Sequence, residues 1–171
     1  MSETSSAVFL SYASQDAQAA LRICESLRAA GIEVWFDQSE LRGGDAWDLK
    51  IRQQIRDCAL FIPIISAHTT SRPEGYFRLE WRLADQRTHL RGRSKPFIVP
   101  VCIDGTSEAD ADVPESFLAA QWIRLPEGRA DDAFGARIRQ LMEGGNGSVA
   151  ASNPAPRTKC GRCLPRRARP T

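Results

Sequence analysis

The chain has 171 residues, 42% apolar and 26% charged, the make-up of one soluble globular domain with a sizeable core plus a tail. No apolar run approaches the roughly 20 residues of a membrane helix, and Met1 to Ser6 show no basic region ahead of an apolar one, so they do not read as a secretory signal. The net charge of +2 hides six positive charges beyond Glu143 (Arg157, Lys159, Arg162, Arg166, Arg167 and Arg169), which leaves −4 for residues 1–143 and no electrostatic case for nucleic-acid binding.

Residues 1–6 read as a disordered N-terminus. Ala7 to Tyr12 form a short apolar strand, and Ala13 to Asp16 a polar step in which Ser14 is placed to cap a helix. The spacing of Ala20, Ile23, Cys24 and Leu27 predicts a helix over 17–30, closed by Gly31. Ile32 to Phe36 is a second strand, and Asp37 to Asp45 a loop with Gly43-Gly44 at its tip. Trp47, Ile51 and Ile55 carry the next helix. Cys58 to Ser66 is apolar on both faces, the mark of a central parallel strand, although Pro63 removes one ladder hydrogen bond. A polar loop follows and enters a helix near Glu74 to Tyr76. Phe97 to Ile103 is a fourth strand, residues 104–112 an acidic loop, and residues 113–120 hold a helical turn. Gln121 to Leu125 is a short fifth strand, and Phe134, Ile138 and Leu141 define a last helix over 130–142. From Gly144 to Thr171 no apolar period survives, and the segment reads as a disordered basic tail.

Strands alternating with helices imply right-handed crossovers between parallel strands. The expected fold is α/β, a flavodoxin-like doubly wound sheet of about five strands with helices on both faces, spanning residues 7–143. Cys24, Cys58 and Cys102 fall in apolar segments and read as small hydrophobes. Cys160 and Cys163 form a lone Cys-x-x-Cys, half of a zinc site, and no metal centre is expected. The absence of a disulfide framework favours a reducing, cytoplasmic setting.

Tyr76 and Glu80 stand four apart, so they share a helix face. An aromatic plane beside a carboxylate, just past the end of a buried parallel strand, suits a nucleotide sugar, because ligands of open α/β sheets collect there. The same spacing also occurs on any solvated helix face. Ser11 and Ser14, between a strand end and a helix start, suit a phosphate. Tyr12, Trp47 and Tyr76 are candidates to pack on a ring, with burial beneath a loop the alternative for Trp47. Arg42, Arg72 and Arg78 could neutralise a pyrophosphate or stand as solvated charges. Asp37 could orient its loop and Asp45 cap a helix, while Glu74 and Asp16 read as first-turn residues. His68 and His89 read as loop and surface residues, and no Gly-x-Ser-x-Gly surrounds Ser66. There is no Gly-x-Gly-x-x-Gly or Walker-type loop.

Val8 to Asp16, with its Phe-Leu-Ser-Tyr run, resembles the opening box of the Toll/interleukin-1 receptor (TIR) domain family. Gly31 to Asp37 is similar to that family's second strand, and Leu41-Arg42-Gly43-Gly44-Asp45 to its BB loop. The run from Ile51 to Ser66 is similar to the helix and strand that follow, and Tyr76-x-x-x-Glu80-Trp81 to the segment bearing the catalytic glutamate of NAD-cleaving members. Tyr76 stands where many members have Trp. The resemblance implies cleavage of the nicotinamide–ribose bond of NAD+ as substrate, with no further cofactor and with Glu80 catalytic. It implies self-association through the BB loop (Leu41, Arg42, Gly43, Gly44, Asp45), with other TIR domains as partners, while charge and hydropathy point to neither nucleic acid nor membrane. A non-catalytic scaffold for protein–protein signalling is the alternative. A response-regulator phospho-acceptor would need an acidic cluster after the first strand and an Asp ending the third, where Ser66 stands.

Overall fold

A computed structural model describes residues 6–36, 45–92 and 96–143. Five parallel strands form one sheet: β1 (Val8–Ser11), β2 (Val34–Phe36), β3 (Leu60–Ile65), β4 (Val101–Cys102) and β5 (Ile123–Arg124), in the order β2-β1-β3-β4-β5. This is the flavodoxin-like arrangement. Its helices are α1 (Ala17–Ala29), α2 (Asp45–Asp57), α3 (Ala67–Ser71), α4 (Tyr76–Leu90), α5 (Glu115–Leu118) and α6 (Asp132–Met142).

The two-residue period of the strands sorts the core into two layers. Val8, Leu10, Ile62 and Ile64 face α1 and α6, joining Ile23, Leu27, Phe134 and Ile138. Phe9, Phe61 and Ile65 face the other way, onto Ile51, Ile55, Phe77, Trp81 and Phe117 of α2, α4 and α5. Gly31 closes α1 as expected. Its φ of +79° lets its own N–H reach Arg28 O and that of Ile32 reach Leu27 O.

The sheet absorbs Pro63 because of where the lost bond falls. Phe61 N–H donates to Phe97 O and Val99 N–H to Phe61 O. The next donor in that series is residue 63, at the gap between the Phe61–Ile98 bridge and the Ile64–Val101 pair. Interruption there shortens β4 to two residues where seven were expected.

Two further expectations are corrected. Ser14 does not cap α1. It opens a 3-10 turn over Ser14–Asp16, and its hydroxyl donates to Gln15 Oε1. The polar stretch after β3 is not all loop, since Ser66 and Thr69 form a reciprocal capping box that starts α3. Cys24, Cys58 and Cys102 are free and buried, as expected. Among the described residues no helix is long and apolar enough to cross a membrane, and no cluster of His, Cys, Asp and Glu could hold a metal. The termini and residues 37–44, with Asp37, Leu41, Arg42, Gly43 and Gly44, lie outside the described residues, as does the Asp45 side chain.

Candidate active site

The strand order reverses direction at β1, so the C-terminal ends of β1 and β3 border the crevice where ligands of doubly wound sheets bind. Ser11 ends β1, and Ser66 follows β3. Both are 1% exposed. Each serine is taken by a carboxylate that follows the other strand. The Ser11 hydroxyl donates to Glu80 Oε2 on α4, after β3. The Ser66 hydroxyl donates to Asp16 Oδ2 at 2.5 Å, after β1. Two carboxylates thus clasp neighbouring strand ends in a crossed pattern.

Local sequence explains how Glu80 comes to be there. The buried residues of α4 are Phe77, Glu80, Trp81 and Ala84, at i, i+3, i+4 and i+7. This is the apolar stripe of an amphipathic helix with one carboxylate inside it. An apolar side chain at that place would contribute about 1.5–3 kcal/mol. A carboxylate there costs several kcal/mol unless hydrogen-bonded. The chain forgoes stability at this one position of the stripe, which makes Glu80 a candidate functional residue.

Asp16, read from sequence as an ordinary first-turn residue, is 4% exposed. Its second oxygen, Oδ1, lies 2.8 Å from Nδ1 of His68. His68 is therefore in α3 and paired, not a loop residue, although its ring remains 56% exposed. The sequence signal for this cluster was weak, because Asp16 and His68 are 52 positions apart.

The other predicted residues separate into two groups. Tyr76 is half-buried at the start of α4 and packs on the α2/α4 layer, so an aromatic plane does stand one turn before Glu80. Ser14 is exposed on the rim, with Arg72 Nη1 at 3.3 Å from its oxygen and 3.0 Å from Gln15 Oε1. Tyr12 has one ring face stacked on Phe36 at 4.9 Å. Trp47 is half-buried on α2, with the Lys50 ammonium 4.8 Å from its ring centre. Arg78 is not available to a pyrophosphate. It donates to Thr69 O at 2.6 Å, Arg72 O at 2.8 Å and Asp112 O at 2.6 Å, pairs with the Asp112 carboxylate, and lies over Phe77 and Trp81. It is a structural tie between α3, α4 and the loop before α5. A cavity of about 530 Å³ lies far from these groups, at the N-terminal ends of β4 and β5, lined by Phe97, Ile98, Val99 and Ala120 among others.

The TIR-domain family model matches residues 8–142, from the first residue of β1 to the last of α6. The chain belongs to the TIR-domain family. One relative of this TIR domain, the NAD(+) hydrolase PdTIR of Paracoccus denitrificans (strain Pd 1222), is 30% identical over 97 residues. That match takes in 55% of this chain and 30% of the relative, so the chain spans under a third of the relative's length. Among solved structures, the metazoan TIR-STING receptor from C. gigas in complex with 2',3'-cGAMP superposes with a TM-score of 0.57 at 21% identity. It covers 79% of this TIR domain chain and 38% of the receptor, and it supports the fold.

Proposed function

We propose that this TIR domain cleaves the nicotinamide–ribose bond of NAD+, giving nicotinamide and ADP-ribose or a cyclic ADP-ribose product, with Glu80 as the catalytic residue. The observation that carries this reading is a glutamate placed inside the apolar stripe of α4 and clasped by Ser11 at the β1/β3 crevice. A named hydrolase among its relatives adds support.

The chemistry asks little of the protein beyond that carboxylate. The nicotinamide of NAD+ is cationic and leaves as a neutral ring, so no general acid has to protonate it, unlike the leaving group of ordinary glycosides. What must be stabilised is the ribose as it acquires oxocarbenium character. Glu80 faces that charge and accepts from ribose hydroxyls in a site shielded from water, where such interactions are strongest. The Tyr76 ring, one turn earlier, offers a stacking plane. Ser14, beside Arg72, lines the rim, where a pyrophosphate can sit. Tyr12 and Trp47 border the substrate, and Asp37, after the second strand, and Arg42, in the BB loop, complete the set.

Glu80 is only 8% exposed, so a ribose reaches it only when the crevice widens. On this reading, association with other TIR domains through residues 41–45 provides the widening, in a cytoplasmic setting, with residues 7–143 as the working unit and 144–171 as a tail. The test is incubation with NAD+ at low and high protein concentration, with chromatography of the products. Turnover per molecule is expected to rise with concentration, and Glu80→Gln to lower it by about 10²–10³-fold with the melting temperature retained. A variant that turns over like the parent removes Glu80 from the mechanism. No NAD+ loss by the parent at any concentration leaves the scaffold role.

A further inference from the structure

We propose that the cavity of about 530 Å³ at the N-terminal ends of β4 and β5 is a binding site for an amphipathic organic anion, a monocarboxylate with an apolar tail. This inference is independent of the NAD+-cleaving reading, because the cavity lies at the other end of the strands from the β1/β3 crevice.

The opening has a cause in the sheet. Ile123 N–H donates to Pro100 O and Leu125 N–H to Cys102 O. One step earlier, the donor facing the chain before β5 would be residue 100, and proline has none. The two segments part at that point. Phe97 and Val99 stay bonded to Phe61, while Ala119 and Ala120 run on from α5 with side chains too small to fill the space between. The resulting volume falls within the range of small-molecule sites, about 300–1,000 Å³.

The lining selects the ligand. Its floor is apolar, built from Phe97, Ile98, Val99 and Leu141. The polar groups around that floor offer donors. The Thr88 hydroxyl is committed to Ala84 O at 2.9 Å, and that of Ser116 to Asp85 Oδ1 at 2.5 Å. The Gln121 carbonyl oxygen accepts from Arg137 Nη2 at 3.1 Å, which leaves the NH2 group of that amide. Arg91, just past α4, holds its guanidinium 5.0 Å from the Phe97 ring centre, and Arg137 stands on α6. Among the described residues neither arginine forms an ion pair, and no carboxylate lines the cavity. Two guanidiniums without counter-charge over an apolar floor match a carboxylate on a hydrocarbon body. The forked N–H groups pair with the head, and the floor takes the body out of water. The segment 144–171 follows α6 directly, but its six positive charges would meet two more in Arg91 and Arg137.

Calorimetric titration of the full chain with octanoate, octan-1-ol and octylammonium separates the head from the body. Octanoate is expected to bind one to one and about 10-fold or more tighter than octan-1-ol, with octylammonium weakest. Arg91→Gln and Arg137→Gln are each expected to weaken octanoate by about 10–100-fold, the worth of a charge-assisted hydrogen bond, and to leave octan-1-ol unchanged. Absence of octanoate binding, equal affinity for acid and alcohol, or octanoate binding that neither arginine affects would overturn the proposal. Displacement of octanoate by a synthetic peptide of residues 144–171, or by raising the protein concentration, would overturn it in favour of the tail or of a second copy of the chain. None of these readouts uses NAD+, so their outcome is separate from that of Glu80→Gln.

Discussion

Ser11 is the only side chain of β1 with a hydroxyl, and its bond to Glu80 ties the sheet to the carboxylate proposed as catalytic. A donor to a buried carboxylate contributes about 1.5–3 kcal/mol. Ser11→Ala should therefore lower the melting temperature by roughly 5–10 °C, and it should slow NAD+ cleavage because Glu80 loses its fixed orientation. An unchanged melting temperature would mean that the hydroxyl does not support the carboxylate. At this scale the sequence was informative wherever one residue broke a local pattern. That Tyr76 and Glu80 share a helix face was readable from their spacing of four, and burial of Phe77, Trp81 and Ala84 then fixes the phase of α4. Asp16, Ser66 and His68 were not, since their bonds span 50 and 52 positions and nothing local distinguishes a buried first-turn Asp from an exposed one. Arg78 likewise reads as a surface charge until its carbonyl partners are placed around it.

The elements with strong apolar periodicity, α1, α2 and α6, stand where that pattern put them to within two residues, and α4 starts at Tyr76, within the expected stretch of Glu74 to Tyr76. The strands were legible as apolar runs but not in their limits, because length in a sheet depends on which ladder bonds a neighbour can supply. Pro63 decides that for β4, because it supplies no donor between the Phe61–Ile98 bridge and the Ile64–Val101 pair. The five-residue α3 was missed because a capping box of Ser66 and Thr69 in so short a polar segment reads equally as loop. One connection is tightly determined. Gly128, after β5, has φ +74°, and a methyl group there would stand 2.4 Å from the backbone oxygen of Ala19 in α1. Gly128→Ala combines a left-handed backbone, costing about 1–2 kcal/mol, with overpacking of about 1–3 kcal/mol. The expected loss is about 3 kcal/mol in urea denaturation, and a loss under 1 kcal/mol would show that α1 can back away.

For the whole molecule, the strand order and the two-layer core follow from alternation of apolar strands and amphipathic helices, and the family match extends over the same stretch. A stability consequence follows from Cys58, between α2 and β3. Burial pushes its thiol from an ordinary 9.0 up to about 12, with the Arg87 guanidinium pulling the other way. The folded protein keeps that proton at pH values where the unfolded chain releases it. Stability from this group is thus complete below pH 9 and is lost as the pH climbs towards 12. Urea midpoints at pH 8, 9 and 10 should fall more steeply for the parent than for Cys58→Ala, and parallel slopes would refute the assignment.

The crossed clasps of Ser11 with Glu80 and Ser66 with Asp16 have a bearing on how the chain finds its form. Were β1 to slide one position along β3, Leu10 or Tyr12 would arrive where Ser11 belongs, and a carboxyl would be sealed in with no hydroxyl to meet it. A buried carboxylate that loses its hydroxyl costs about 1–3 kcal/mol, on top of what the strand loses when its apolar side chains change faces. The groups proposed to carry out the reaction would then also proofread the alignment of the sheet, so that a misthreaded molecule would be rejected by the parts it needs to work.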